Sequence, residues 1–321
     1  MQMRRLGLAA LLTIVSLAAC GGDAAGPPAV GTIVEHRVRP SATSGAIAGW
    51  DDEHYAWIAR STVGRAGRLL VLLPGTGGQP SHAQLVAREA AKEGYRVIGL
   101  MYPDDRAVAS ECPGDTACMS RMRDEIVRGE DRSPHVTVDA GNSIDGRLVA
   151  LLEWLDAEHA DEGWGAYLDG GAPRWSDIAV GGLSQGGGHA AYIGTIREVA
   201  RVVMFGAPTD GVAGAAVAWT SSSVTPAARY YGFAHARDPF ASIGPNWIGL
   251  GLGAFGAETL IDDSAPPYGD THMLRTDRLP ATGSYAHAHS SVFADFATPR
   301  VGGEPVFAPA WRYMLGSGIV R

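Results

Sequence analysis

Lysine is nearly absent from this chain. Of 26 basic residues in 321, only Lys92 is a lysine. No Gly-Lys-Ser/Thr sequence exists, which excludes a Walker-type phosphate loop. A Schiff-base lysine would have to be Lys92, and its polar, helix-like surroundings suit that chemistry poorly. Positive charge is not in excess either: 34 acidic residues give a net charge of −8, which argues against a nucleic-acid partner. There is no H-E-x-x-H and no His/Asp cluster at metal-ligand spacing, so neither a metal nor a cofactor is expected. Repeats and heptads are missing. With 46% apolar and 19% charged residues, the chain has the composition of a globular protein and is not wholly disordered.

The longest apolar run, residues 6–19, is too short to span a bilayer and has the length of a signal h-region. Arg4 and Arg5 precede it. It ends in Leu17-Ala18-Ala19-Cys20, followed by Gly21-Gly22. This ending resembles the lipobox of bacterial lipoproteins. The resemblance implies a signal peptide over 1–19, a lipidated Cys20, a flexible tether over 20–31, and an exported protein held at the cell envelope. Cys112 and Cys118 then remain, six apart across a turn-forming Pro113-Gly114-Asp115. In an oxidising compartment they are expected to form a disulfide.

From residue 32 to 321 no linker divides the chain, so one domain is expected. Apolar runs at 68–73, 95–100, 178–182, 201–205 and 230–233 read as strands. Helix-like segments lie between them, at 81–93 with Ser81 as the N-cap, at 144–159, and from His189 onward. Fully apolar strands alternating with helices imply an α/β protein with a mostly parallel sheet covered on both faces.

Gly182-Leu183-Ser184-Gln185-Gly186 matches G-x-S-x-G between a strand and a helix-like segment. A reversal tight enough to expose the serine hydroxyl crowds the backbone, so the flanking residues must be small. The helix that follows aims free N–H groups at the place where an oxyanion would form. Ser184 is therefore the candidate nucleophile. Over about residues 65–315 the pattern resembles the α/β-hydrolase superfamily. Closer still is a likeness to a little-characterised group of secreted bacterial hydrolases, carried by Leu73-Pro74-Gly75-Thr76-Gly77-Gly78, Ser184-Gln185-Gly186-Gly187-Gly188-His189, Arg201-Val202-Val203-Met204-Phe205 and Tyr231-Gly232-Phe233. The resemblance implies an α/β-hydrolase fold and a serine hydrolase. It implies oxyanion donors at the N–H of Thr76, or one residue on at Gly77, and of Gln185. Pro74 stands where the family usually has a histidine.

The family order is nucleophile, acid, base. By the likeness, His289 is the base, directly before Ser290-Ser291-Val292. His287 is its rival, and strand-like alternation would aim both to one side. Asp238, after the strand at 230–234, is the expected acid, with Asp210 as the alternative. The segment 104–133, with the cysteine pair and several arginines, either rims the cleft or forms a stapled surface excursion. The function implied is hydrolysis of a small-molecule or lipid-like ester through an acyl-enzyme. A lipase or polyester hydrolase of cutinase type is the runner-up. A catalytically inactive hydrolase fold serving as a surface binding lipoprotein is the alternative of a different class.

Overall fold

The apolar runs become neighbouring strands of one nine-stranded sheet in the computed structural model, which describes residues 32–318. The reading of residues 1–31, including Cys20, lies outside the described residues. The strands are β1 (Ile33–Val38), β2 (His54–Ala59), β3 (Leu69–Leu73), β4 (Arg96–Gly99), β5 (Ile178–Leu183), β6 (Arg201–Phe205), β7 (Tyr230–His235), β8 (Thr259–Leu260) and β9 (Met273–Thr276). Their spatial order is β1-β2-β4-β3-β5-β6-β7-β9-β8. β2 runs antiparallel to both β1 and β4, and the remaining pairs are parallel. This is an α/β protein with an α/β-hydrolase-like sheet.

Parallel strands need crossovers, and the crossovers place helices on both faces. The helices are α1 (Gln84–Lys92), α2 (Thr116–Arg128), α3 (Ile144–Glu158), α4 (Gln185–Ile196), α5 (Ile243–Gly249) and α6 (Ala308–Leu315). The two-residue period of a strand divides the core. Leu69, Val71 and Leu73 of β3 pack with α2, α3 and α4, beside Met122, Leu148 and Ala190. Leu70 and Leu72 pack on the opposite face with Val86 of α1 and Trp311 of α6. Burial on both faces explains why these strands read as unbroken apolar runs.

Two helix starts differ from the sequence reading. Ser81 lies in a 3-10 turn, Pro80–Ala83, and does not cap α1. The cap is remote: Asp295 accepts the N–H groups of Gln84 at 3.2 Å and Leu85 at 3.0 Å. A carboxylate reached from 210 residues away leaves no local signature. Helix α4 begins at Gln185 and not at His189, because Ser184 itself ends the strand and starts the helix.

Cys112 and Cys118 form a disulfide. It closes the turn before α2, whose N-terminus is capped by Asp115 accepting from Ala117 and Cys118 N–H. Among the described residues, no helix is long and apolar enough to cross a membrane.

Candidate active site

Ser184 sits at the C-terminal end of β5 with φ 54° and ψ −117°. That backbone is costly for a non-glycine residue, on the order of 1–3 kcal/mol, and persists only where the surroundings impose it. They do so here. Ser184 N–H donates to Phe205 O at 2.9 Å, and Gly188 N–H donates to Ser184 O at 2.9 Å. A Cβ on Gly182 would lie 2.4 Å from Leu73 O, and one on Gly186 would lie 2.2 Å from the same oxygen. Both glycines of the motif are thus fixed by the approach of β3 to the elbow.

Asp238 lies three residues beyond β7, and His289 lies in a helical turn, Ala288–Ser291, after β9. His289 Nδ1 and Asp238 Oδ2 are 2.7 Å apart, with the acid side chain 1% exposed and the imidazole 18%. The second oxygen, Oδ1, accepts Phe240 N–H at 3.1 Å. With a carboxylate on one side, Nδ1 carries the proton and Nε2 is left as the free acceptor. Nε2 is buried and makes no hydrogen bond, so the link to Ser184 Oγ is open in this structure. The imidazole and the Ser184 backbone each lie against the end of β6. A Cβ on Gly206 would be 2.9 Å from His289 Cε1, and the residue before it, Phe205, accepts the Ser184 N–H.

The rival residues are elsewhere. Asp210 is fully buried and accepts two hydrogen bonds from Arg123, Nε to Oδ2 at 2.6 Å and Nη2 to Oδ1, plus one from Trp219 Nε1 at 3.2 Å. Among the described residues it makes no hydrogen bond to an imidazole. His287 bonds to Thr282 Oγ1 at 3.0 Å and packs edge-on to Phe296. Alternation does not hold there, because residues 285–291 are helical and two residues turn the side chain about 200°. Phe240, 40% exposed, stands edge-on to His289 with ring centres 4.9 Å apart.

The loop after β3 faces the elbow. Thr76 Oγ1 donates to Gln185 Oε1 at 3.2 Å, and the same oxygen accepts Val108 N–H at 3.0 Å. Among the described residues no group accepts the N–H of Thr76 or of Gln185. Gly77 N–H is taken by Asp104 O at 3.0 Å, so Gly77 is not a free donor. Val108 and Arg123 bring the 104–133 segment against the elbow; Arg123 Nη1 donates to Gln185 O at 3.2 Å. The segment therefore flanks the site and is no detached excursion.

His189, one turn into α4, is fully buried, and burial first and nearby Arg123 second hold its pKa far below the usual range. It stays neutral. Cys112, Cys118 and His135 converge in space, but the disulfide consumes both thiolates, so they do not make a metal site. The cavity of about 400 Å³ lined by Trp50, Asp105, Arg106 and His135 does not include Ser184 or His289. The sequence reading missed Tyr102, Asp104 and Phe240. The first two stand at the end of β4, on the same sheet edge as the elbow, which was the available signal. No protein-family model and no curated protein sequence matches the chain.

Proposed function

We propose that this chain is a serine hydrolase of the α/β-hydrolase superfamily that cleaves carboxylic esters through an acyl-enzyme. The observation that carries the reading is the hydrogen-bonded Asp238–His289 pair beside a strained Ser184 at one sheet edge. Ser184 Oγ attacks the ester carbonyl carbon while His289 Nε2 takes its proton. The negative charge moves to the carbonyl oxygen, which accepts hydrogen bonds from the unpaired N–H groups of Thr76 and Gln185. Such a donor is worth about 3–4 kcal/mol in the transition state. Collapse breaks the bond to the alcohol oxygen, which receives the proton from Nε2. A water molecule then repeats the sequence on the acyl-enzyme. Asp238 keeps the imidazole in the Nδ1–H form and stabilises its charged state.

Exposed Phe240 beside His289 favours, as a second reading, a lipase or polyester hydrolase with an apolar acyl or polymer segment lying along that ring. The proposed location is the bacterial cell envelope, through a lipid on Cys20. The test is labelling of the full chain with a fluorophosphonate probe. Labelling that disappears in Ser184→Ala supports the hydrolase. A folded chain that the probe ignores sinks it in favour of an inactive binding fold, and labelling that persists in Ser184→Ala sinks Ser184 as the nucleophile.

A further inference from the structure

We infer that Asp104 is a positioning residue for the oxyanion loop, holding residues 75–78 in the arrangement that leaves Thr76 N–H unpaired opposite the Gln185 N–H. The inference rests on the ester-hydrolase reading and extends it to a residue outside the triad.

Asp104 follows β4 and is 2% exposed. It grips the loop twice. Its backbone carbonyl accepts Gly77 N–H at 3.0 Å, and its Oδ2 accepts Gly78 N–H at 3.1 Å. Gly78 N–H is shared with Gly75 O at 2.8 Å, which closes the turn around Thr76. Two residues earlier on the same strand end, Tyr102 Oη donates to Pro74 O at 2.9 Å. The end of β4 thus fixes both flanks of Thr76. Thr76 is itself exposed, and its hydroxyl is tied to Gln185.

Among the described residues no cation forms an ion pair with the Asp104 carboxylate. Asp105 beside it and Asp52 before β2 both disfavour its charge. Tyr102 also faces it. Arg147 of α3 faces it and favours its charge from a distance, while donating its own hydrogen bonds to the carbonyls of Gly49, Trp50 and Asn142. Burial, the largest cause, pushes the carboxyl up to about 7. An ionised carboxylate accepts an N–H strongly; a protonated one is a weaker acceptor with a proton of its own to place. The Gly78 anchor therefore loosens as pH falls through neutrality.

The full chain carries the test. Ester turnover is measured from pH 5 to 9 for wild type, Ser184→Ala and Asp104→Asn, with circular dichroism as the folding control. In parallel, the Gly78 amide is followed by NMR after ¹⁵N-glycine labelling. We expect Asp104→Asn to lower kcat by about tenfold at pH 8 with KM changed less than about twofold, the signature of an interaction made in the transition state. Its acid limb should lose one of two protons. The Gly78 amide should titrate near pH 7 in wild type and in Ser184→Ala, and stay still in Asp104→Asn. A Gly78 amide that does not move in wild type overturns the inference, whether or not the variant folds. Ser184-dependent turnover with an unaltered Asp104→Asn profile overturns it while sparing the hydrolase. Turnover that survives in Ser184→Ala sinks the hydrolase reading itself, and the catalytic role of Asp104 falls with it.

Discussion

Arg123 donates to both carboxylate oxygens of Asp210, 87 positions further along the chain, and neither side chain is more than 1% exposed. The same guanidinium reaches the carbonyl of Gln185, the residue after Ser184. One buried cation thus ties three pieces together: the disulfide-closed segment, the loop after β6, and the elbow. It also sets Asp210 apart from the imidazole, since Asp210 pairs with Arg123 and Trp219 while Asp238 pairs with His289.

Removing one partner should be worse than removing both. Arg123→Met leaves Asp210 buried without a counter-charge, held only by Trp219 Nε1, and should cost about 3–5 kcal/mol in a urea titration. Arg123→Met combined with Asp210→Leu should recover much of that loss, because no charge is then stranded. A single variant within about 1 kcal/mol of wild type would show that water reaches the pair.

Much of the fold was legible because its signals are local. Apolar runs gave β3 to β7, and Gly182-x-Ser184-x-Gly186 marked the elbow. The run Gly186-Gly187-Gly188 was visible but its cause was not. Gly187 lies against Ala207 and Gly188 against the Arg123 guanidinium, both partners from outside the motif. Asp295 capping α1 and Asp104 gripping the oxyanion loop were hidden for the same reason: each works through backbone N–H groups brought near only by tertiary folding. His287 and His289 could not be separated by periodicity, because a strand period was applied to a helical turn.

Buried histidines should shape the acid side of the stability curve. His54 accepts Met101 N–H at 2.9 Å and is fully buried; burial, then Arg147, brings its pKa down to about 3. Burial also lowers His272, to about 4. Unfolded, both would bind a proton near 6.5, so the folded state holds fewer protons below that pH. Their stabilisation is complete above about 6.5 and is lost as pH falls through 6.5 toward 3 or 4. Asp104, at about 7, and Asp295, at about 6, act oppositely: folding favours their protonated forms, so their contribution grows as pH falls from 7 toward 4. His54→Asn keeps an acceptor for Met101 N–H and deletes the titration. On going from pH 7 to 4.5, the urea midpoint of His54→Asn should fall less, or rise more, than that of wild type, by the equivalent of about 1 kcal/mol or more. Equal pH slopes in the two proteins would count against a neutral, buried His54.

The envelope proposal has its own check. Expressed in a bacterium with a lipoprotein pathway, the full chain should incorporate labelled palmitate and partition into detergent. Cys20→Ser should abolish the label. Undiminished labelling in Cys20→Ser would remove the anchor from the proposal and leave the enzyme chemistry untouched.

The triad makes the sharpest demand, because its members should fail together. Ser184→Ala should remove nearly all ester turnover. His289→Ala should do about the same, and the double variant should be no worse than either, since nucleophile and base act as one unit. Asp238→Asn should fold, because Asn retains an oxygen for the Phe240 N–H. It would, however, offer His289 Nδ1 an amide N–H in place of a carboxylate. The imidazole would turn to the wrong tautomer and present Nε2–H to the serine, costing on the order of 10⁴ in kcat, as in serine proteases. His287→Ala, whose ring bonds to Thr282 and packs on Phe296, should keep near wild-type turnover. The measurement is kcat on one soluble ester for each variant, with circular dichroism to establish folding. Folded His289→Ala at full rate beside a dead His287→Ala would move the base to His287 and discard the Asp238 pairing. Folded Ser184→Ala at the wild-type rate would end the mechanism, because among the described residues no other hydroxyl sits on a strained strand-to-helix turn with an unpaired helix N–H beside it.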